Sequence, residues 1–239
     1  MLNIKDIAPY MLTNKTINNI MKNRINPVIK IKHDKKIVPK KENLLKNFFS
    51  AKNTCDKLIW YYHILLNGLQ SYHFLGSNSY EEEKKIKIDL VYKVREKKQI
   101  LKNHKIKYRE VEANLCNDDK INMNTFLALL IISEINFYYS DDKFYYTKLI
   151  NCDLDNYCYL HKNKDDYYLW YNEEKPEFEI ISKKLITIDN INKPLKTISS
   201  YKKPELEEWC KKLKIKYEFV GQKKLTKNKL YALIQEKLI

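Results

Sequence analysis

The chain has 239 residues, 44% of them hydrophobic and 13% aromatic, which is enough apolar material to bury a core. It holds only three glycines, and neither G-x-G-x-x-G nor G-x-x-x-x-G-K-[ST] occurs; this argues against the two commonest nucleotide-dependent enzyme types, whose loops need glycine where the backbone meets phosphate. The net charge of +15 is segregated: residues 1–41 hold ten Lys/Arg against two acidic residues, 42–192 hold 22 against 23, and 193–239 hold 13 against five.

Residues 1–40 read as a basic N-terminal arm punctuated by Pro9, Pro27 and Pro39, with a short helix over Thr13–Arg24 and an alternating stretch over Val28–Val38. A core domain is expected over 41–192. It begins with helical spacing at Leu44, Leu45, Phe48 and Phe49, then a second stripe at Cys55, Leu58, Ile59, Tyr62 and Leu66, ended by Gly68 or Gly76. Tyr80–His104 reads as a partly exposed helix, with Glu81–Glu83 facing Lys84, Lys85 and Lys87 and a narrow apolar stripe at Leu90, Val91, Val94 and Leu101. Two helices follow, about Lys107–Cys116 and Met123–Glu134. Strands are expected at Ile135–Ser140, Lys143–Leu149, Tyr157–His161, Asp166–Tyr171 and Glu177–Ile181, forming a tyrosine-rich antiparallel meander. The pairs Tyr138-Tyr139, Tyr145-Tyr146 and Tyr167-Tyr168 should each send one ring to either face. Residues 182–199 read as a linker with one short strand at Leu185–Ile188. The fold class is therefore α+β, with a C-terminal two-helix module over 193–239.

That module carries the sharpest signal. Pro204 suits a first helical turn; Leu206, Trp209, Cys210 and Leu213 form one stripe; Thr226 caps a second helix striped by Leu230, Leu233, Ile234 and Leu238. Lysines 211, 212, 214, 216, 223, 224, 227 and 229 lie on the polar faces and the connection. The elements Tyr201…Glu205-Leu206…Cys210-Lys211-Lys212-Leu213…Ile215 and Gly221…Lys223-Lys224-Leu225-Thr226-Lys227…Leu230…Ile234…Leu238 resemble the SAP family of helix-extended-loop-helix DNA-binding modules and the two-helix module of terminator Rho. The resemblance covers under a fifth of the chain and departs from the pattern in a long connection at 216–220. It implies phosphate-backbone contact with double-stranded DNA by Lys211, Lys212, Lys214, Lys216, Lys223, Lys224, Lys227 and Lys229, with little base discrimination. The alternative is a helical hairpin docked on the body and basic only because the whole protein is. In composition, the Asn/Lys/Ile/Tyr-rich, glycine-poor chain resembles proteins of nucleocytoplasmic large DNA viruses, which implies genome packaging, a virion-core role or DNA transactions in a viral factory.

Other constellations carry less. A winged helix-turn-helix over 107–149 would read DNA with Met123–Glu134, which has no Lys or Arg and is apolar on most sides. Cys152, Cys158 and His161 lack the four-ligand spacing of zinc. The Asp pairs at 141–142 and 165–166 are ordinary turn residues. No triad, cofactor, metal or small-molecule substrate is expected, and the protein is read as non-enzymatic. Five scattered cysteines and no apolar leader at Met1–Asp6 imply an intracellular, reducing compartment. The longest apolar run, Leu58–Leu66, is under half of the ~20 residues that span a bilayer, so no membrane association is expected. Two functions follow: a protein-binding core tethered to DNA by its basic end, or a structural assembly protein whose basic ends meet acidic proteins.

Overall fold

The computed structural model describes residues 46–52, 54–74, 79–215 and 225–238. The expected arm, with its helix and alternating stretch, lies outside them, as do Leu44, Leu45 and Gly76. Among the described residues nine α-helices accompany one six-stranded sheet, so the chain is α+β.

Strand β1 (Phe48–Phe49) opens the fold where a helix was expected. Phe48 and Phe49 pair antiparallel with Trp170 and Leu169 at the sheet edge. Their helical spacing is overruled by a strand with free hydrogen-bonding groups beside them. Helix α1 (Lys57–Asn67) is capped by Asp56, whose side chain accepts from the Ile59 N–H, and Gly68 ends it at φ 80°. Cys55 precedes the cap and is exposed rather than part of the stripe. Leu58 to Tyr62 are all buried, so α1 lies inside the fold. A short α2 (Leu69–His73) follows. The charged segment forms α3 (Ser79–Glu96) and α4 (Lys98–Asn103), broken at Lys97; α5 (Tyr108–Asn117) and α6 (Met123–Ile132) come next, within a residue or two of expectation.

Four strands follow: β2 (Asn136–Ser140), β3 (Phe144–Lys148), β4 (Tyr157–Asn163) and β5 (Asp166–Trp170). The sheet is mixed rather than a meander, in the order β1-β5-β4-β2-β3-β6. After the β2–β3 hairpin the chain crosses the start of β2, so that β4 pairs parallel to β2, Asn136 opposite Tyr157. Buried Asn136 holds that crossing. Its Oδ1 accepts from the N–H of Ile150 (2.6 Å) and of Asn151 (3.1 Å), while its Nδ2 donates to the Asp153 carbonyl at 2.7 Å. One amide side chain thus replaces backbone partners that a meander would have supplied.

Glu177–Ile181, expected as a strand, instead forms the N-cap and first residues of α7 (Phe178–Lys184). Over five residues, periods of 2 and 3.6 fit equally well. What decides is a face in need of cover: Phe178, Ile181 and Leu185 pack on Tyr138, Tyr145 and Tyr159, and Phe178 stacks on Tyr138 at 3.7 Å. The tyrosine pairs do divide between faces, with Tyr139, Tyr146 and Tyr167 toward the helices and Tyr138 and Tyr145 beneath α7. Strand β6 (Ile186–Thr187) adds in parallel to β3, as part of the expected short strand.

Three helices end in the same way. Lys105, Glu134 and Lys214 take φ of 58°, 55° and 54°, and the next residue's N–H returns to a carbonyl in the last helical turn: Ile106 to Leu101, Ile135 to Leu130, Ile215 to Cys210. Each is a Schellman closure made without glycine.

Candidate nucleic-acid interface

The C-terminal pair consists of α8 (Lys203–Lys212) and α9 (Lys227–Leu238). Glu205 reaches back to accept from the Lys202 N–H at 2.6 Å, fixing the start of α8. Thr226 immediately precedes α9, and its carbonyl accepts from the Leu230 N–H. Leu206, Cys210, Leu213, Leu230 and Ile234 are buried in the main core cluster of the protein. The pair is also docked on the β3–β6 edge. Trp209 lies 6.1 Å from Phe144, the Lys212 ammonium donates to the Leu185 carbonyl at 2.8 Å, and Lys143 donates to the Lys237 carbonyl in the last turn of α9. The approach is steadied by Tyr231, whose hydroxyl donates to the Lys196 carbonyl.

The expected DNA-contacting lysines do not fare alike. Lys212 is three-quarters covered and pairs with Glu208 at 3.4 Å besides its carbonyl bond, so it serves the docking of α8. Lys211, Lys214 and Lys229 are exposed and Lys227 is half-buried. No carboxylate among the described residues forms an ion pair with any of these four. Lys216, Lys223 and Lys224 lie outside the described residues. Lys214 stands at the left-handed position that ends α8, and Lys227 begins α9, so the two closest to the connection are held by defined backbone.

Charge elsewhere behaves differently. Glu83 and Lys87, on a helix expected to be partly exposed, are 4% and 7% exposed. The Lys87 ammonium sits 3.1 Å from Asp56 and 3.6 Å from Glu83, and donates to the carbonyls of Asp118 and Asp119. Glu83 in turn accepts from the indole N–H of Trp60 and the N–H of Asp56, and Asp56 accepts from the Ile121 N–H at 2.7 Å. This network ties α1, α3 and the α5–α6 turn together.

A second concentration of positive charge is hidden when charge is summed over long stretches of sequence. Residues 42–192 are close to neutral together, yet residues 93–109 hold eight Lys/Arg against the single acid Glu96. A sliding charge count would have found it. Lys98, Lys102, Lys105, Lys107 and Arg109 line one cleft of about 780 Å³ between α4 and α5.

Beneath α7, Ser140 is buried, with its hydroxyl 2.8 Å from the Tyr159 hydroxyl and 2.9 Å from Nδ1 of His161. Burial holds the His161 imidazole below its ordinary pKa, against a weaker opposing pull from Asp142 and Asp141. Tyr145, also desolvated, is pushed up to about 12. The serine is enclosed and fully engaged, so this cluster orders the sheet. Cys158 is buried on the helical face, whereas His161, three residues on, lies on the opposite face, and no group of three His, Cys, Asp or Glu converges among the described residues. No helix among the described residues is long and apolar enough to cross a membrane. No protein-family model matches the chain, and no curated protein or solved structure matches it either.

Proposed function

We propose that the protein binds double-stranded DNA without catalysis, through the lysine-bearing surface of the α8–α9 pair, and that the core is a platform for other proteins. The observation that carries this reading is the contrast within one helix pair. Lys212 is tied into the body, while Lys211, Lys214, Lys227 and Lys229 are left without carboxylate partners among the described residues. Cations held on a rigid scaffold meet phosphates at little ordering cost, and they position a protein without reading bases. Lys216, Lys223 and Lys224 lie in the sequence that connects the two helices. The platform role draws on α3, where Tyr80, Ile88 and Tyr92 repeat at multiples of four residues and are each more than half exposed. An intracellular, reducing setting and a place in viral genome packaging or the virion core follow from the cysteine usage and the compositional resemblance.

Because α8 and α9 bury residues of the main core, truncation at 196 would expose that core, and neutralisation is the sound test. The variant K211Q/K214Q/K227Q/K229Q should bind duplex DNA more weakly. Its log–log salt slope should fall by about 3 to 4, at ~0.9 for each phosphate no longer neutralised. Duplex affinity and salt slope equal to those of the unsubstituted protein would end the proposal.

A further inference from the structure

The cleft between α4 and α5 lies away from the C-terminal pair in sequence and shares no lining residue with it. Its walls carry Lys98 and Lys102 from α4, Lys105 and Lys107 from the turn, and Arg109 from α5, against one carboxylate, Glu110. Glu110 is engaged with Lys107 at 2.8 Å. Lys98, Lys102, Lys105 and Arg109 are exposed and have no carboxylate partner among the described residues. Such crowding costs self-repulsion unless an anion meets it. The turn that brings the charges together is itself fixed. Lys105 sits at φ 58°, locked by the Ile106 N–H bonding to the Leu101 carbonyl and its own N–H bonding to the Lys102 carbonyl. Ile106 and Tyr108, both half-buried, supply apolar surface to the same cleft, and the Arg109 guanidinium donates to the Tyr108 hydroxyl at 3.3 Å.

We infer that this cleft binds a single-stranded nucleic acid, with phosphates between the α4 and turn lysines and a base against Tyr108 and Ile106. The combination selects that occupant. A basic groove alone suits any polyanion, but an aromatic and an aliphatic surface set among the cations suit a strand whose bases are unpaired and free to stack. A duplex keeps its bases stacked inside and so gains nothing from the Tyr108 and Ile106 surface. The inference does not depend on the C-terminal reading.

The full chain, titrated with fluorescein-labelled oligothymidine and with a labelled duplex at several salt concentrations, tests it. K98Q/K102Q/K105Q/R109Q should weaken oligothymidine binding by about tenfold or more and lower its salt slope by roughly 3, at ~0.7 for each phosphate. K211Q/K214Q/K227Q/K229Q should leave that binding in place and affect the duplex, so each reading can fail alone. K105G guards against misfolding: glycine suits the left-handed turn, so the variant should melt no lower than the unsubstituted protein and yet bind oligothymidine more weakly. Unchanged oligothymidine binding in the cleft variant overturns the inference. So does a larger loss for duplex than for single strand, or equal affinity for polyglutamate of matched charge.

Discussion

Lys87 and Lys211 both lie on amphipathic helices in lysine-rich stretches, and they serve opposite ends. Lys87 is buried between Asp56 and Glu83, with two carbonyls completing its shell. Lys211 is exposed and has no carboxylate partner among the described residues. One is a structural pin and the other is available to a polyanion. Charge counts therefore say little about partners until each cation is sorted by what already surrounds it, because a buried ammonium is held by compensation and an exposed one is not.

The comparison can be broken most directly at Lys87. K87M leaves two carboxylates buried without their cation and should lower the unfolding free energy by about 3–5 kcal/mol, measured by urea denaturation; a loss below ~1 kcal/mol would put Lys87 in the same class as the surface lysines. N136A is the neutral counterpart. It strands the N–H groups of Ile150 and Asn151 and should cost about 2–3 kcal/mol, with hydrogen exchange speeding up first in residues 149–156. Smaller again is the effect of K214G, which relieves a left-handed lysine and should raise stability by ~0.5–1 kcal/mol, whereas an unchanged or lower midpoint would mean that the turn carries no such strain.

His161 gives the comparison a pH axis. Its pKa is lower folded than unfolded, so the unfolded chain binds more protons. The stability tied to neutral His161 is present above the unfolded value near 6.5 and is lost as pH falls from there toward the folded value. His63, also held low by burial, adds in the same direction. Denaturation midpoints should therefore fall between about pH 7 and 5, and H161Q should flatten part of that fall. A midpoint that rises on acidification would reverse the assignment. Least of all should K211Q/K214Q/K227Q/K229Q matter to folding, since three of these charges are exposed, none is ion-paired among the described residues, and such charges contribute little to stability; its melting temperature should match that of the unsubstituted protein.

Long periodic segments declared themselves in the sequence. The apolar stripes of α3, α8 and α9, the apolar character of α6 on most sides, the Asp141-Asp142 hairpin and the alternation of tyrosine pairs all follow from local periodicity and turn chemistry. The candidate DNA-contacting lysines are equally readable as a run, but the bond from Lys212 to the Leu185 carbonyl is not. Short or averaged signals failed. The helical spacing that ends at Phe48-Phe49 yields to the sheet edge at β5, residues 177–181 are too brief to fix a period, and the positive charge of 93–109 vanishes in a net charge taken over about 150 residues.

By itself, then, the amino-acid order placed the long helices and the strands β2 to β5, the apolar stripes of the helices, and an amphipathic, lysine-rich helix pair in the last residues. Only tertiary packing decided that β4 pairs parallel to β2, that α7 is a helix laid over tyrosines, and that Glu83 and Lys87 are interior. The physical reason is range: periodicity and capping act within a turn or two of chain, while strand order and the fate of a charge depend on groups brought together from distant positions, such as Asp56 with Lys87 and Asn136 with Ile150.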